Sequence, residues 1–142
     1  MLSDIVSTAK RRIETNSHIS SNMASVCYAI IDYVSVGADK KPHLTFTDLY
    51  RISPKVDEDV FYDAVFLLTK HQYNILKQQF EALHPRKGFQ PVPDREEIIE
   101  AMKNDDFFNP ITGEDLTEEE FGKQVITFFS PSDDLIRAIK SD

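Results

Sequence analysis

The sequence predicts a mainly α protein carrying one small β-hairpin. Three observations lead there. Apolar residues recur at helical spacing along most of the 142 residues. One turn signal, His84-Pro85-Arg86-Lys87-Gly88, separates two short segments able to pair as strands. Finally, 10 Phe and 5 Tyr supply the bulk of a core. At 16.3 kDa, folding buries roughly two thirds of the unfolded surface, so neither a disulfide nor a metal is required.

Residues 2–15 form an amphipathic helix with Leu2, Ile5, Val6, Ala9 and Ile13 on one stripe, followed by the basic Lys10, Arg11 and Arg12. The polar segment from Thr15 to Asn22 ends it. The second helix has the clearest pattern. Met23, Val26, Cys27, Ile30, Ile31 and Val34 make one stripe over three turns, and Gly37 closes it. A loop with Lys40, Lys41 and Pro42 leads to a short helix capped by Thr47 and carrying Leu49, Tyr50 and Ile52; Pro54 stops it. A third helix spans about Asp57 to His71, with Asp57, Glu58 and Asp59 at its positive end.

Residues 73–83 fit either a helix, through Leu76, Phe80 and Leu83, or a strand face, through Leu76, Phe80 and Ala82. Phe89-Gln90-Pro91-Val92 reads as a short edge strand. The last third reads as helical. One helix opens at Pro93-Asp94 and bears Ile98, Ile99 and Met102. Asn109 to Gly113 is a turn. Another helix starts at the capping box Thr117/Glu120 and runs through Phe121, Val125, Phe128 and Phe129. Ser132 caps the last, with Leu135, Ile136 and Ile139. This divides the chain into an N-terminal helix and linker (1–22), a central domain (23–92) and a helical C-terminal extension (93–142).

The central order of helix, loop, short helix, turn, longer helix and hairpin resembles a winged-helix (helix-turn-helix) domain. Ile30-Ile31-Asp32-Tyr33, Phe46-Thr47-Asp48-Leu49, Ser53-Pro54 and the run from Val60-Phe61 to Leu68 carry the resemblance, over residues 23–92 only. It implies a hairpin wing and a third helix that either reads DNA or contacts protein. The helical N- and C-terminal segments are additions to that domain.

The formal charge is −8, unevenly spread. Residues 1–91 hold 11 Lys/Arg and 10 Asp/Glu, whereas residues 92–142 hold 5 and 14. The acid therefore belongs to the C-terminal extension, and a partner with a basic surface is expected. Cys27 is the only cysteine and lies in an apolar run, as a buried structural thiol does. The first residues lack a cationic, apolar leader, and no stretch is apolar enough to span a bilayer. A cytoplasmic, intracellular location without membrane contact is the expectation.

On a helix over residues 58–71, Val60, Phe61, Ala64, Val65, Leu67, Leu68 and His71 share the core face. Glu58, Asp59, Tyr62, Asp63, Phe66, Thr69 and Lys70 lie opposite. That second face would have to enter a DNA groove, and its three carboxylates repel phosphate. Tyr62 and Phe66, one turn apart and rimmed by Glu58, Asp59 and Asp63, have the composition of a protein-binding hot spot. The cations open to a nucleic-acid reading are Arg51, Lys55, Lys70, Lys77, Arg86 and Lys87, with the last two at the wing tip.

Catalytic signals are weak. Asp105-Asp106 and Asp133-Asp134 invite a metal, but the first lies in no calcium-loop pattern and the second suits a helix start. There is no phosphate loop or nucleophile elbow. The expectation is a non-enzymatic interaction module, without cofactor or metal, acting as adaptor or accessory subunit of an intracellular complex. The alternatives are a DNA-binding transcriptional regulator and an acidic, antitoxin-like inhibitor masking a basic partner. An acid-based hydrolase is a weaker option.

Overall fold

The computed structural model describes the backbone of residues 2–141 and the side chains of residues 4–140. It contains seven α-helices and three strands among the described residues, a mainly α fold with one small sheet. The helices are α1 (Leu2–Thr15), α2 (Ser21–Ser35), α3 (Phe46–Ile52), α4 (Glu58–Leu67), α5 (Arg95–Lys103), α6 (Glu118–Gln124) and α7 (Asp133–Ser141). The strands β1 (Leu76–His84), β2 (Gly88–Pro91) and β3 (Val125–Pro131) lie in the order β2-β1-β3. None of the described helices is long and apolar enough to cross a membrane.

The chain makes two compact units, Met1–Gln78 with Phe129–Asp142, and Gln79–Phe128. The charge break after Pro91 coincides with neither boundary. The second unit holds 5 Lys/Arg against 12 Asp/Glu, so it carries −7 of the total −8.

In the first unit, the α2 stripe becomes the center of the core. Val26, Cys27, Ile30, Ile31 and Val34 are all fully buried, and α2 packs on α1, α3 and α4. In α1, Ala9 and Ile13 are buried with Ile5 and Val6 packed beside them; the Leu2 side chain lies outside the described residues. Ser20 caps α2 by accepting from the Met23 amide. At the other end Gly37 takes the left-handed conformation, φ 66°. Lys41 donates to the carbonyls of Tyr33 and Val36, which no further helical turn would satisfy, and its ammonium lies 4.0 Å above the Tyr33 ring.

Three elements depart from the sequence reading. The cap of α3 is Thr45, two residues before Thr47. Thr45 Oγ1 accepts from the Asp48 amide (3.2 Å) while Asp48 Oδ2 accepts from the Thr45 amide (3.0 Å). This reciprocal box brings Phe46 into the first turn. Next, α4 stops at Leu67. The chain then turns through Thr69 and Lys70, and the Ile75 and Leu76 amides both donate to the Leu68 carbonyl. His71 is therefore exposed beyond the helix and takes no place on its core face.

The third departure is β3. Residues 125–131 form a strand where the spacing of Phe121, Val125 and Phe128 predicts continued helix. The helix ends at Gln124, and Val125-Ile126-Thr127-Phe128-Phe129 is β-branched and aromatic, which favours extended backbone. Phe128, Phe129, Ser130 and Pro131 are all buried. A strand covered on both faces shows no period of two, so its pattern is easily taken for helix.

Between the two options for residues 73–83, the strand is the one formed, with Leu76, Phe80 and Ala82 buried. It pairs antiparallel with β2, from Glu81 opposite Pro91 to His84 opposite Gly88. Pro91 is tolerated because β2 is an edge strand.

The second unit has its own core of Phe80, Ala82, Ile98, Leu116, Phe121 and Val125. The box at the start of α6 forms as the Thr-x-x-Glu spacing requires: Thr117 Oγ1 accepts from the Glu120 amide, and Glu120 accepts from the Thr117 amide. In the turn after α5, Asn109 is fully buried. Its amide nitrogen donates to the Leu83 carbonyl and to Gln124 Oε1, both at 2.9 Å. Its oxygen accepts from the amides of Ile111 (2.8 Å) and Thr112 (3.3 Å).

Candidate functional site

The region richest in unsatisfied apolar surface lies on α3 and α4. Phe46, set in the first turn of α3 by the Thr45/Asp48 box, is the hub of an aromatic cluster. Its ring lies 5.1 Å from Tyr62, 6.0 Å from Phe66, 6.5 Å from Phe61 and 5.0 Å from Phe129, all edge to face. One turn further along α3, Tyr50 meets Phe61 at 5.2 Å and 84°. Such pairs add about 0.5–1.5 kcal/mol each beyond burial of area.

Burial falls off outward. Phe61 and Phe129 are buried, whereas Tyr50, Tyr62 and Phe66 remain 44%, 37% and 39% exposed. Tyr62 and Phe66 are therefore at the surface of α4, with Glu58, Asp59 and Asp63 exposed beside them on the same helix. Phe46, Thr47, Tyr50, Glu58, Phe61 and Tyr62 line a cleft of about 330 Å³. The five residues singled out as an interaction face on α4 come together as the helical period requires.

Phe46 and Tyr50 join this surface from α3, outside the α4 face. Their four-residue spacing places them on one face of a helix only when that helix begins at Phe46, after the Thr45 cap. The box also sets the charge state of Asp48. The Thr45 amide hydrogen bond is the main cause holding its carboxyl below the usual range, with smaller help from the Thr45 side chain, Arg51 and His43 against some desolvation. A depressed carboxyl stabilises the fold above its unfolded pKa and loses that contribution as pH falls through the folded one. Thr45→Ala is expected to lower stability by about 1 kcal/mol. It should raise the Asp48 pKa only slightly, as read by carboxyl carbon NMR titration, because the backbone amide of residue 45, the main cause of the depression, is kept and only the smaller side-chain contribution is lost.

The six cations of the nucleic-acid reading are divided between the two units. Arg51, Lys55 and Lys70 are exposed on separate segments of the first unit. Lys77 faces Asp133 at 3.4 Å, which neutralises it locally. Arg86 and Lys87 are exposed at the β1–β2 turn of the second unit, where their backbone amides donate to His84 Nδ1 at 3.1 and 3.2 Å.

Cys27 Sγ approaches the Ala64 carbonyl at 3.9 Å, and burial pushes its thiol up to about 12, so it is inert as a nucleophile at neutral pH. Asp134 is held low chiefly by the Asn74 side chain (2.8 Å), then by Arg137, at the start of α7. Ser132 caps that helix through the Leu135 amide and donates to the Asn74 carbonyl. Among the described residues, no three His, Cys, Asp or Glu side chains converge as a metal site would require.

Comparison with protein-family models, curated proteins and solved structures finds no match to this chain.

Proposed function

We propose that the chain is a non-enzymatic protein-interaction module of winged-helix type, an adaptor or accessory subunit that binds a partner with a basic surface. The observation that carries this reading is the half-exposed aromatic face of α3 and α4, bordered by Glu58, Asp59 and Asp63. Large rings left open to water cost free energy that a partner recovers by covering them, and surrounding acids select a cationic partner and speed its approach. The sequence α2, α3, α4 and a β1–β2 hairpin supports the winged-helix element of the proposal. The same acids disfavour use of α4 in a DNA groove.

The test is capture of partners from native lysate by the tagged chain and by a Tyr62→Ala, Phe66→Ala double variant, washed at low and high salt. The expected result is a folded double variant, judged by circular dichroism, that no longer retains the protein partner. A variant that unfolds would show both rings to be core, and one that retains the partner would place the interface elsewhere.

A second reading, DNA binding, draws on the exposed Arg86 and Lys87 at the hairpin tip. The same capture addresses it: nucleic acid lost at high salt and on changing both residues to Glu would favour it.

A further inference from the structure

Resting on the interaction-surface reading above, we infer that the cleft between α3 and α4 receives an arginine side chain of the partner, its stem against the aromatic rings and its guanidinium at the Glu58 carboxylate. Three observations on the cleft converge on that occupant.

The first is its composition. Four of the six lining residues are aromatic, one is a threonine, and the only charged one is Glu58. Among the described residues Glu58 makes no ion pair or side-chain hydrogen bond, so its oxygens are available. An apolar guest would cover that carboxylate without compensating it, which costs free energy. An acidic guest would be repelled. A guest with an apolar stem and a cationic tip satisfies both parts of the lining.

The second is the arrangement of the rings. Phe46 and Tyr62 stand at 88°, Tyr50 and Phe61 at 84°, and Phe61 and Tyr62 at 61°. Rings set across one another, rather than stacked flat, present differently oriented surfaces around one space. That suits cation–π contact. A guanidinium is planar and weakly hydrated, stacks on rings and can bind a carboxylate through two donors; a lysine ammonium sheds more hydration to enter.

The third is size and field. A volume of about 330 Å³ lies at the low end of ligand sites and is fit for one side chain, not for a helix. Asp59 and Asp63 are exposed on the same helix and add to the negative potential there. Arg51 and Lys55, the nearest cations in sequence, do not line the cleft.

The experiment titrates the full-length ¹⁵N-labelled chain with the blocked peptide acetyl-Gly-Ser-Arg-Ser-Gly-amide. Matched peptides carry citrulline, a neutral isostere, or lysine in place of arginine. The expected result is amide shifts centred on residues 46–50 and 58–62, with no saturable shifts from the citrulline peptide and weaker binding of the lysine peptide. Glu58→Gln and Tyr62→Leu should each weaken the arginine peptide by about tenfold, equivalent to about 1.4 kcal/mol. Glu58 is exposed, so its variant keeps the test decisive even if Tyr62→Leu does not fold.

Equal binding of the citrulline peptide, equal binding of the lysine peptide, shifts centred elsewhere, or an unchanged Glu58→Gln variant would each overturn the assignment. Loss of partner capture in the Tyr62→Ala, Phe66→Ala variant, with cleft amides unmoved by the arginine peptide, would remove the arginine assignment alone. Capture that survives the double substitution would remove the interaction surface itself.

Discussion

Phe129→Ala is expected to destabilise the protein by about 3–5 kcal/mol, a large share of the 5–15 kcal/mol typical of a folded domain. Phe129 is fully buried and belongs to the largest core cluster. Its ring packs against Phe46 at 5.0 Å and against Phe66 at 6.2 Å, and its backbone exchanges two 2.7 Å hydrogen bonds with Leu44 just before α3. Removing the ring leaves a cavity beneath the aromatic face and takes an anchor from Phe46. The expected observation is a urea midpoint lowered by one or more molar, together with faster amide exchange in α3 and α4. Phe129→Leu, which keeps most of the volume, should cost less than half as much. Equal losses for both variants would show that ring geometry, not filled volume, matters there.

Asn109→Ala is expected to cost about 2–4 kcal/mol, well beyond the usual effect of a turn substitution. Its side chain satisfies the Leu83 carbonyl, Gln124 Oε1 and the amides of Ile111 and Thr112 from a buried position. Truncation leaves those groups unpaired, and water cannot reach all of them. Asn109→Asp gives a sharper signature. The carboxylate can still accept from Ile111 and Thr112, but its other oxygen faces two acceptors where the amide donated. Burial and these acceptors raise its folded pKa above the unfolded value, so native protein binds the extra proton more readily. Stability of this variant should therefore rise as pH falls from 7 toward the unfolded carboxyl pKa, relative to wild type. Thermal melts of both proteins between pH 4 and 7 check the sign; parallel curves would refute the donor role of the Asn109 amide.

The two variants probe different compact units, and they differ in how visible their positions are in the sequence. Phe129 is recognisable as core from its apolar run, although the element around it is not. Asn109 is recognisable as a turn residue, yet its isolation among ordinary turn chemistry hides its buried network. Two of its partners, Leu83 and Gln124, lie 26 and 15 residues away. Nothing within four residues of Asn109 predicts them.

The proposed site divides the same way. Tyr62, Phe66, Glu58, Asp59 and Asp63 share a face because helical rotation puts them there, and their exposure follows once Phe61, Ala64, Val65 and Leu68 are buried in the core. The cleft, in contrast, needs Phe46 and Tyr50 from another helix. Its position depends on where α3 begins, a matter of one box at Thr45 and Asp48.

What the sequence alone determined is whatever acts over three or four residues: the buried stripe of α2, the caps at Thr117 and Ser132, the outward acids and rings of α4, and the edge character of the short strand that contains Pro91. Helical rotation and capping bonds close within one turn, so they are written locally. The tertiary structure decided the rest. Residues 76–84 and 125–131 became neighbouring strands because a sheet hydrogen bond needs a partner far along the chain. A separate long-range bridge, between Leu44 and Phe129, holds the Phe129 ring against Phe46 and so builds the floor on which the candidate interaction face rests.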